Sequence, residues 1–248
     1  MSGHSKWKTI KHKKSKEDAK RGRLFSKLTK AIVIAAKEGG GDPDQNITLA
    51  NAIQKAKEFN MPKDNIKRAI KKGTGKVGGY DLEKVVYEGY GPEGIAVIVE
   101  AMTNNRKRTA SEMRNIFSKH NGNLGSTGCV RWMFNRRGVI SLKDGSYIDE
   151  DEILLLAIDA GADDVIIEKD YYEIHTEPAK LIKIKDFLIE KGLSPDSTEI
   201  ILIPKNYKLL DESKTLKTLK LIDALHEQED VQEIYTNFEI PDELMEKL

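Results

Sequence analysis

The sequence predicts an α+β protein in three parts, and three observations carry that prediction. Charge is divided along the chain: residues 1–79 hold 20 Lys or Arg against 7 Asp or Glu, a net of +13, and residues 80–248 hold the remaining 21 against 33, a net of −12. Apolar residues recur at helical spacing up to residue 73, and the period changes after the joint, where Val85–Tyr90 and Ile95–Met102 are β-rich runs. From Arg137 to Pro204 the pattern runs strand, helix, strand, strand, helix, strand, and one further helix and strand follow it. A basic helical domain (residues 1–79) is therefore expected to precede two α+β domains, the second inserted into the first.

In the first domain, Ser15 with Asp18 three residues on is a near capping box, so a helix should begin near Lys16. Leu24, Leu28, Ala31, Ile32 and Ala35 share one face of it, and Gly39-Gly40-Gly41 ends it. Asp42-Pro43 reads as the start of a second helix carrying Ile47, Leu49, Ala52, Ile53 and Ala56 inward. A third runs from Pro62 to Lys72 on Ile66, Ala69 and Ile70, with Gly73 as its stop. Three short-looped amphipathic helices make a bundle with a strongly basic outer surface.

Gly73 to Gly79 reads as a joint. Its Gly75-Lys76 pair does not make a phosphate-binding P-loop, because Ile70 stands where the first glycine belongs, Val77 where Ser or Thr belongs, and no strand precedes it. Beyond it, Val85–Tyr90 and Ile95–Met102 form a hairpin around Gly91-Pro92-Glu93-Gly94. Thr103-Asn104-Asn105 caps a helix with Ala110, Met113, Ile116 and Phe117 inward, ended by Gly122, and a third strand is expected from Val130 to Asn135.

The run that follows is strand Val139–Leu142, helix Asp149–Ala160, strand Val165–Glu168, strand Tyr171–Thr176, helix Pro178–Lys191 and strand Glu199–Ile203. This is the complete ferredoxin-like order. The helix Ser213–Glu227 and the strand Val231–Phe238 supply the helix and strand that residues 80–136 need to cover a sheet. The expected domains are thus 1–79, 80–136 with 205–248, and an inserted 137–204.

Charged residues are 33% of the chain and hydrophobic ones 39%, a soluble globular balance. No apolar run reaches membrane-spanning length and the N-terminus has no apolar signal region, so the expectation is a cytoplasmic protein with no membrane contact. The single cysteine, Cys129, excludes an intramolecular disulfide or a cysteine-built metal site. His4, His12, His120, His175 and His226 are scattered, with no metal-ligand spacing, nucleophile elbow or dinucleotide fingerprint. Asp149-Glu150-Asp151-Glu152 sits at a helix start, where carboxylates favour the positive end of the helix dipole. No enzyme, cofactor or metal is expected.

The stretch Gly3 to Lys30 carries eleven Lys or Arg against Glu17 and Asp18. Cations interleaved with an indole and imidazoles suit a phosphate backbone and a stacking base, so Lys6, Trp7, Lys8, Lys11, His12, Lys13, Lys14, Lys20, Arg21 and Arg23 are candidate nucleic-acid contacts. A solvated, solubilising terminus is the plainer reading of such a run. Arg106, Lys107 and Arg108 flank the outward amides of a helix start, a ready anion site, and Arg114, Lys119, Arg131, Arg136 and Arg137 extend the patch. Residues 137–204 carry 16 acids against 7 bases, so the inserted domain should repel phosphate and contact protein, or the basic part of its own chain.

The opening Gly3-His4-Ser5-Lys6-Trp7, then Ile10-Lys11-His12-Lys13, Asp18, Arg21-Gly22 and Phe25, resembles the YebC/PmpR family. The resemblance continues through Gly73-Thr74-Gly75, Tyr87 to Pro92, Thr103 to Thr109 and Gly122 to Phe134, where related sequences tend to have serine at Cys129. It implies control of gene expression, either as a DNA-binding transcriptional regulator or as a translation factor binding ribosomal RNA and the ribosome at stretches such as consecutive prolines. A protein–protein adaptor would leave Gly3–Lys30 unexplained.

If 137–204 is an insertion, joining Arg136 to Lys205 through a short Gly/Ser linker should leave a cooperatively melting remainder. A remainder without a thermal transition, together with an unfolded 137–204 fragment, would overturn the insertion.

Overall fold

The computed structural model describes residues 18–76, 81–143, 149–168 and 171–240, and for 18–21, 143 and 168 the backbone alone. They form two compact units, 135–203 and the remainder on either side of it. The larger unit opens with three helices, α1 (Asp18–Gly39), α2 (Ile47–Glu58) and α3 (Lys63–Gly73).

The central helix is α1. Ile32, Val33, Ile34, Ala35 and Ala36 are all buried, so its C-terminal half is covered on nearly every side and not only on the face expected from its spacing. Leu49 and Ala56 of α2 and Ile66 and Ala69 of α3 join that core, with Leu82 and the half-buried Met102 from farther along the chain. Each fully buried branched side chain here contributes about 1.5–3 kcal/mol. Gly73 lets the end of α3 approach α1 closely: a Cβ there would lie 2.4 Å from the Val33 carbonyl oxygen.

The second helix starts at Asn46, not at Asp42-Pro43. The Asn46 amide nitrogen donates to the carbonyls of Ala35 and Gly40, both at 2.8 Å, and its Oδ1 accepts from Leu49 N. A side chain that both donates and accepts can close the end of one helix and open the next. The Asp42 carboxylate only accepts, and it closes a turn on Asp44 N.

The same unit holds β1 (Glu83–Tyr90), β2 (Ala96–Thr103), α4 (Arg106–Lys119) and the short β3 (Asn123–Leu124). Later in the chain it gains β8 (Lys208–Leu209), α7 (Glu212–Glu227), β9 (Val231–Thr236) and β10 (Phe238–Glu239). The sheet order is β3-β1-β2-β9, with every neighbour antiparallel. One face packs Val85, Tyr87, Val97 and Val99 against Met113 and Phe117 of α4 and Leu221 and Leu225 of α7. The final strand breaks at Asn237, whose Oδ1 accepts from Ala96 N, and β10 then pairs with β8 in parallel.

The expected strand Val130–Asn135 is not formed. Strand alternation puts Glu88 on the sheet face opposite the core, and the segment after β3 laps over it. The Glu88 carboxylate, 3% exposed, accepts from Gly128 N at 2.7 Å, Val130 N at 3.1 Å and Arg131 N at 2.8 Å. Satisfying those three amides bends the chain, with Gly128 at φ +89°, into a short 3-10 turn at Arg131–Met133. Extended backbone resumes only at Phe134, in a different sheet.

The unit 135–203 is built from β4 (Phe134–Lys143), α5 (Glu150–Ala160), β5 (Asp164–Glu168), β6 (Tyr171–Thr176), α6 (Leu181–Glu190) and β7 (Ser197–Pro204). Its sheet order β5-β6-β4-β7 is the ferredoxin-like arrangement, over a core of Ile140, Leu142, Ile153, Ile174, Ile184 and Leu188. Within the larger unit, Lys205 N donates to the Met133 carbonyl, so the chain leaves that unit and returns to it at adjacent positions. The fold is α+β, as expected.

Replacing Glu88 by Gln keeps its size but sets an amide group against three backbone donors. It should cost about 2–3 kcal/mol in a urea titration. A loss below about 0.5 kcal/mol would show that the loop is held by other contacts.

Candidate nucleic-acid interface

The start of α4 is assembled from a chain of small polar groups. Asn105 caps the helix by accepting from Arg108 N at 3.1 Å, and Thr103 Oγ1 accepts from Asn105 N at 2.9 Å. Thr109 Oγ1 stands 2.9 Å from Thr103 Oγ1, and both threonines are fully buried. Arg106 and Lys107 project from this first turn, exposed and with no ion-pair partner among the described residues.

Arg108 behaves differently. Its Nη2 donates to Asp230 Oδ2 at 3.2 Å, and Asp230 is 1% exposed. The same carboxylate accepts from Thr109 Oγ1 at 2.7 Å, Gln228 Nε2 at 3.3 Å and, through Oδ1, Lys30 Nζ at 2.5 Å. Burial by itself would raise the Asp230 carboxyl. Hydrogen bonds from Lys30 and Thr109, the Lys30 charge and the Gln228 amide outweigh it and hold the group down at about 2. Part of the charge gathered at this helix start is thus answered from inside the protein.

Other lysines of the helical bundle are also paired within the protein. Lys27 donates to the His226 carbonyl at the end of α7, Lys37 to Asp81 and the Leu82 carbonyl, and Lys55 to Glu233. Lys63, Lys67, Arg68 and Lys71 of α3 are exposed with no ion-pair partner among the described residues. The i, i+4, i+8 spacing of Lys63, Lys67 and Lys71 puts them in one stripe, a signal present in the sequence.

Of the residues singled out from the sequence, Lys6, Trp7, Lys8, Lys11, His12, Lys13 and Lys14 lie outside the described residues. Lys20 and Arg21 fall in the first turns of α1, their side chains also outside, and Arg23 is exposed on the same helix. Burial pushes the Cys129 thiol up and the Glu88 carboxylate adds to this, which leaves the sulfur a poor nucleophile. Among the described residues no group of three or more His, Cys, Asp or Glu is placed to hold a metal, and no helix is long and apolar enough to cross a membrane.

Residues 5–76 match the model of the TACO1/YebC protein N-terminal domain, and residues 82–238 match that of the TACO1/YebC second and third domain. The chain belongs to the YebC family. A Halothermothrix orenii relative named a probable transcriptional regulatory protein is 53% identical, across 100% of this chain and 99% of its own. A relative of the same description from Thermoanaerobacter pseudethanolicus is 54% identical over 98% of this chain and 99% of its own. The crystal structure of a conserved hypothetical protein from Aquifex aeolicus superposes with a TM-score of 0.80 at 45% identity, covering 91% of this chain and 93% of that one. The YebC fold assigned here is therefore shared along nearly the whole chain.

Asp230 makes two predictions in one set of urea titrations. Its folded-state pKa lies below the ordinary 3.8, so its contribution of roughly 2 kcal/mol is present above pH 4 and lost as pH falls toward 2. Asp230→Asn should lower stability at pH 7, with the gap to wild type narrowing near pH 2.5. Arg106→Glu should change stability by less than about 0.5 kcal/mol, whereas Arg108→Glu, a like charge beside Asp230, should cost more than about 1 kcal/mol. Equal effects from the two arginines would disprove the division of labour.

Proposed function

We propose that this YebC-family protein is a non-enzymatic nucleic-acid-binding regulator of gene expression, described most simply as a transcriptional regulator. The observation that supports this reading is the sorting of cations. Lys27, Lys30, Lys37, Lys55 and Arg108 are each matched to a carboxylate or a carbonyl of the protein itself. Arg106 and Lys107 and the α3 set Lys63, Lys67, Arg68 and Lys71 face solvent without an ion pair among the described residues. Unpaired, outward Lys and Arg on ordered helices neutralise phosphates and release counterions, which gives sequence-independent affinity. The opening segment with Lys6, Trp7, Lys8, Lys11, His12, Lys13 and Lys14 adds cations and an indole to the same basic part of the chain. Lys20, Arg21 and Arg23 continue it into α1. The names of the relatives agree with this reading.

Titration of a duplex promoter fragment, a random duplex and structured ribosomal RNA over a range of salt tests it. Binding should weaken with a log–log slope of roughly −0.9 per phosphate neutralised on duplex DNA. Deleting residues 1–14, or replacing Lys63, Lys67 and Lys71 together by Glu, should flatten that slope by about two or more units. The promoter should be favoured over random duplex by more than about tenfold. Tighter binding to structured RNA with no promoter preference would replace the DNA reading by one of ribosomal RNA and translation. No binding to any of the three would overturn nucleic-acid binding itself.

A further inference from the structure

The loop clamped by Glu88 holds out one large aromatic side chain. Trp132 is 65% exposed, yet its position is fixed: its Nε1 donates to the Cys129 carbonyl at 3.0 Å. Tyr90, 37% exposed on the sheet face that the loop covers, donates its hydroxyl to the same carbonyl at 3.1 Å. The two polar tips meet at one oxygen, so what each ring leaves to solvent is its apolar face. The backbone beneath is held by the three amides that donate to Glu88 and by Gly125 N, which donates to the Glu88 carbonyl at 2.8 Å. Beside Trp132 in the chain, the half-buried Arg131 has no ion-pair partner among the described residues.

The geometry points to a base-stacking site at Trp132 and Tyr90, which takes an unpaired nucleobase while Arg131 meets the adjoining phosphate. Base stacking needs an exposed π-face whose orientation is already fixed, because a ring that must be immobilised on binding loses rotamer entropy. Both conditions hold here. A protein-binding hot spot is normally a desolvated pocket inside a ring of occluding contacts. The exposed residues of the loop before Trp132 are instead Ser126, Thr127 and Gly128, small and polar. Duplex nucleic acid keeps its bases stacked on one another, so this site selects single-stranded segments, loops or ends. The inference rests on the nucleic-acid reading above and adds to it a distinct site with a preference for unpaired bases.

The chain has two tryptophans, Trp7 and Trp132, so Trp7→Phe makes Trp132 the sole indole. Titrating that variant with a twelve-nucleotide oligouridylate should quench its fluorescence saturably, and a blunt hairpin duplex of equal charge should not. Trp132→Ala should weaken oligouridylate binding by about tenfold or more, and Trp132→Phe should restore most of it, with duplex binding and the thermal melt unchanged in both. Equal losses on duplex and single strand, no loss on either, or absence of quenching would overturn the site while leaving the nucleic-acid reading in place. If the wild-type chain binds neither ligand, the broader reading fails first and this one with it.

Discussion

The larger unit depends on a carboxylate that faces the interior. Asp230 draws Lys30 from α1, Arg108 and Thr109 from α4 and Gln228 from the turn before β9 onto one group, and its own carbonyl accepts from Met102 N of β2 at 2.8 Å. A carboxylate out of water is costly unless its lone pairs are filled, and a buried lysine is costly without a counter-charge. Each group therefore makes the other tolerable. The consequence is geometric as much as energetic, because two helices, the turn before β9 and the sheet must keep their spacing for all four donors to reach. The helical bundle is thereby fixed to the sheet.

Glu88 applies the same physics to a loop. Its carboxylate occupies a concavity of backbone amides of the kind that binds anions elsewhere, so the segment from Gly128 to Arg131 is folded by an internal anion. What a strand would have buried is turned outward, including Trp132. Both acids take part in positioning. Asp230 settles that Lys30 and Arg108 are held by an internal carboxylate, whereas Glu88 holds three backbone amides. The inserted unit, acidic over residues 137–204, contributes no comparable cationic stripe from its two helices.

The basic candidates between Gly3 and Lys30 were legible in the sequence as a run of cations interleaved with an indole and imidazoles. The stripe Lys63, Lys67 and Lys71 and the helix start at Arg106 can be read from spacing and from the Asn105 cap, since both signals span a few residues. That Arg108 is committed to Asp230 cannot be read this way, because the two lie 122 residues apart. A shorter separation, still beyond the reach of local spacing, hid the loop around Glu88. Val130 to Asn135 has the composition of a strand, and only a carboxylate some forty residues earlier bends it away.

The sequence by itself determined the α+β class, the helix and strand succession, the ferredoxin-like order of 135–203 and the division of charge, because each rests on short-range periodicity, turn residues or counting. The apolar face of α1 was legible in part: spacing marks Leu28, Ile32 and Ala35, but burial of Val33, Ile34 and Ala36 follows from α2, α3 and the sheet closing around the helix. The tertiary structure alone decided where α2 begins, that Val130–Asn135 does not join the first sheet and which charges are internal. In each case one polar side chain, Asn46, Glu88 or Asp230, satisfies groups that local sequence leaves open. Such a side chain satisfies its partners only when folding brings distant segments within hydrogen-bonding range, and periodicity carries no record of that meeting.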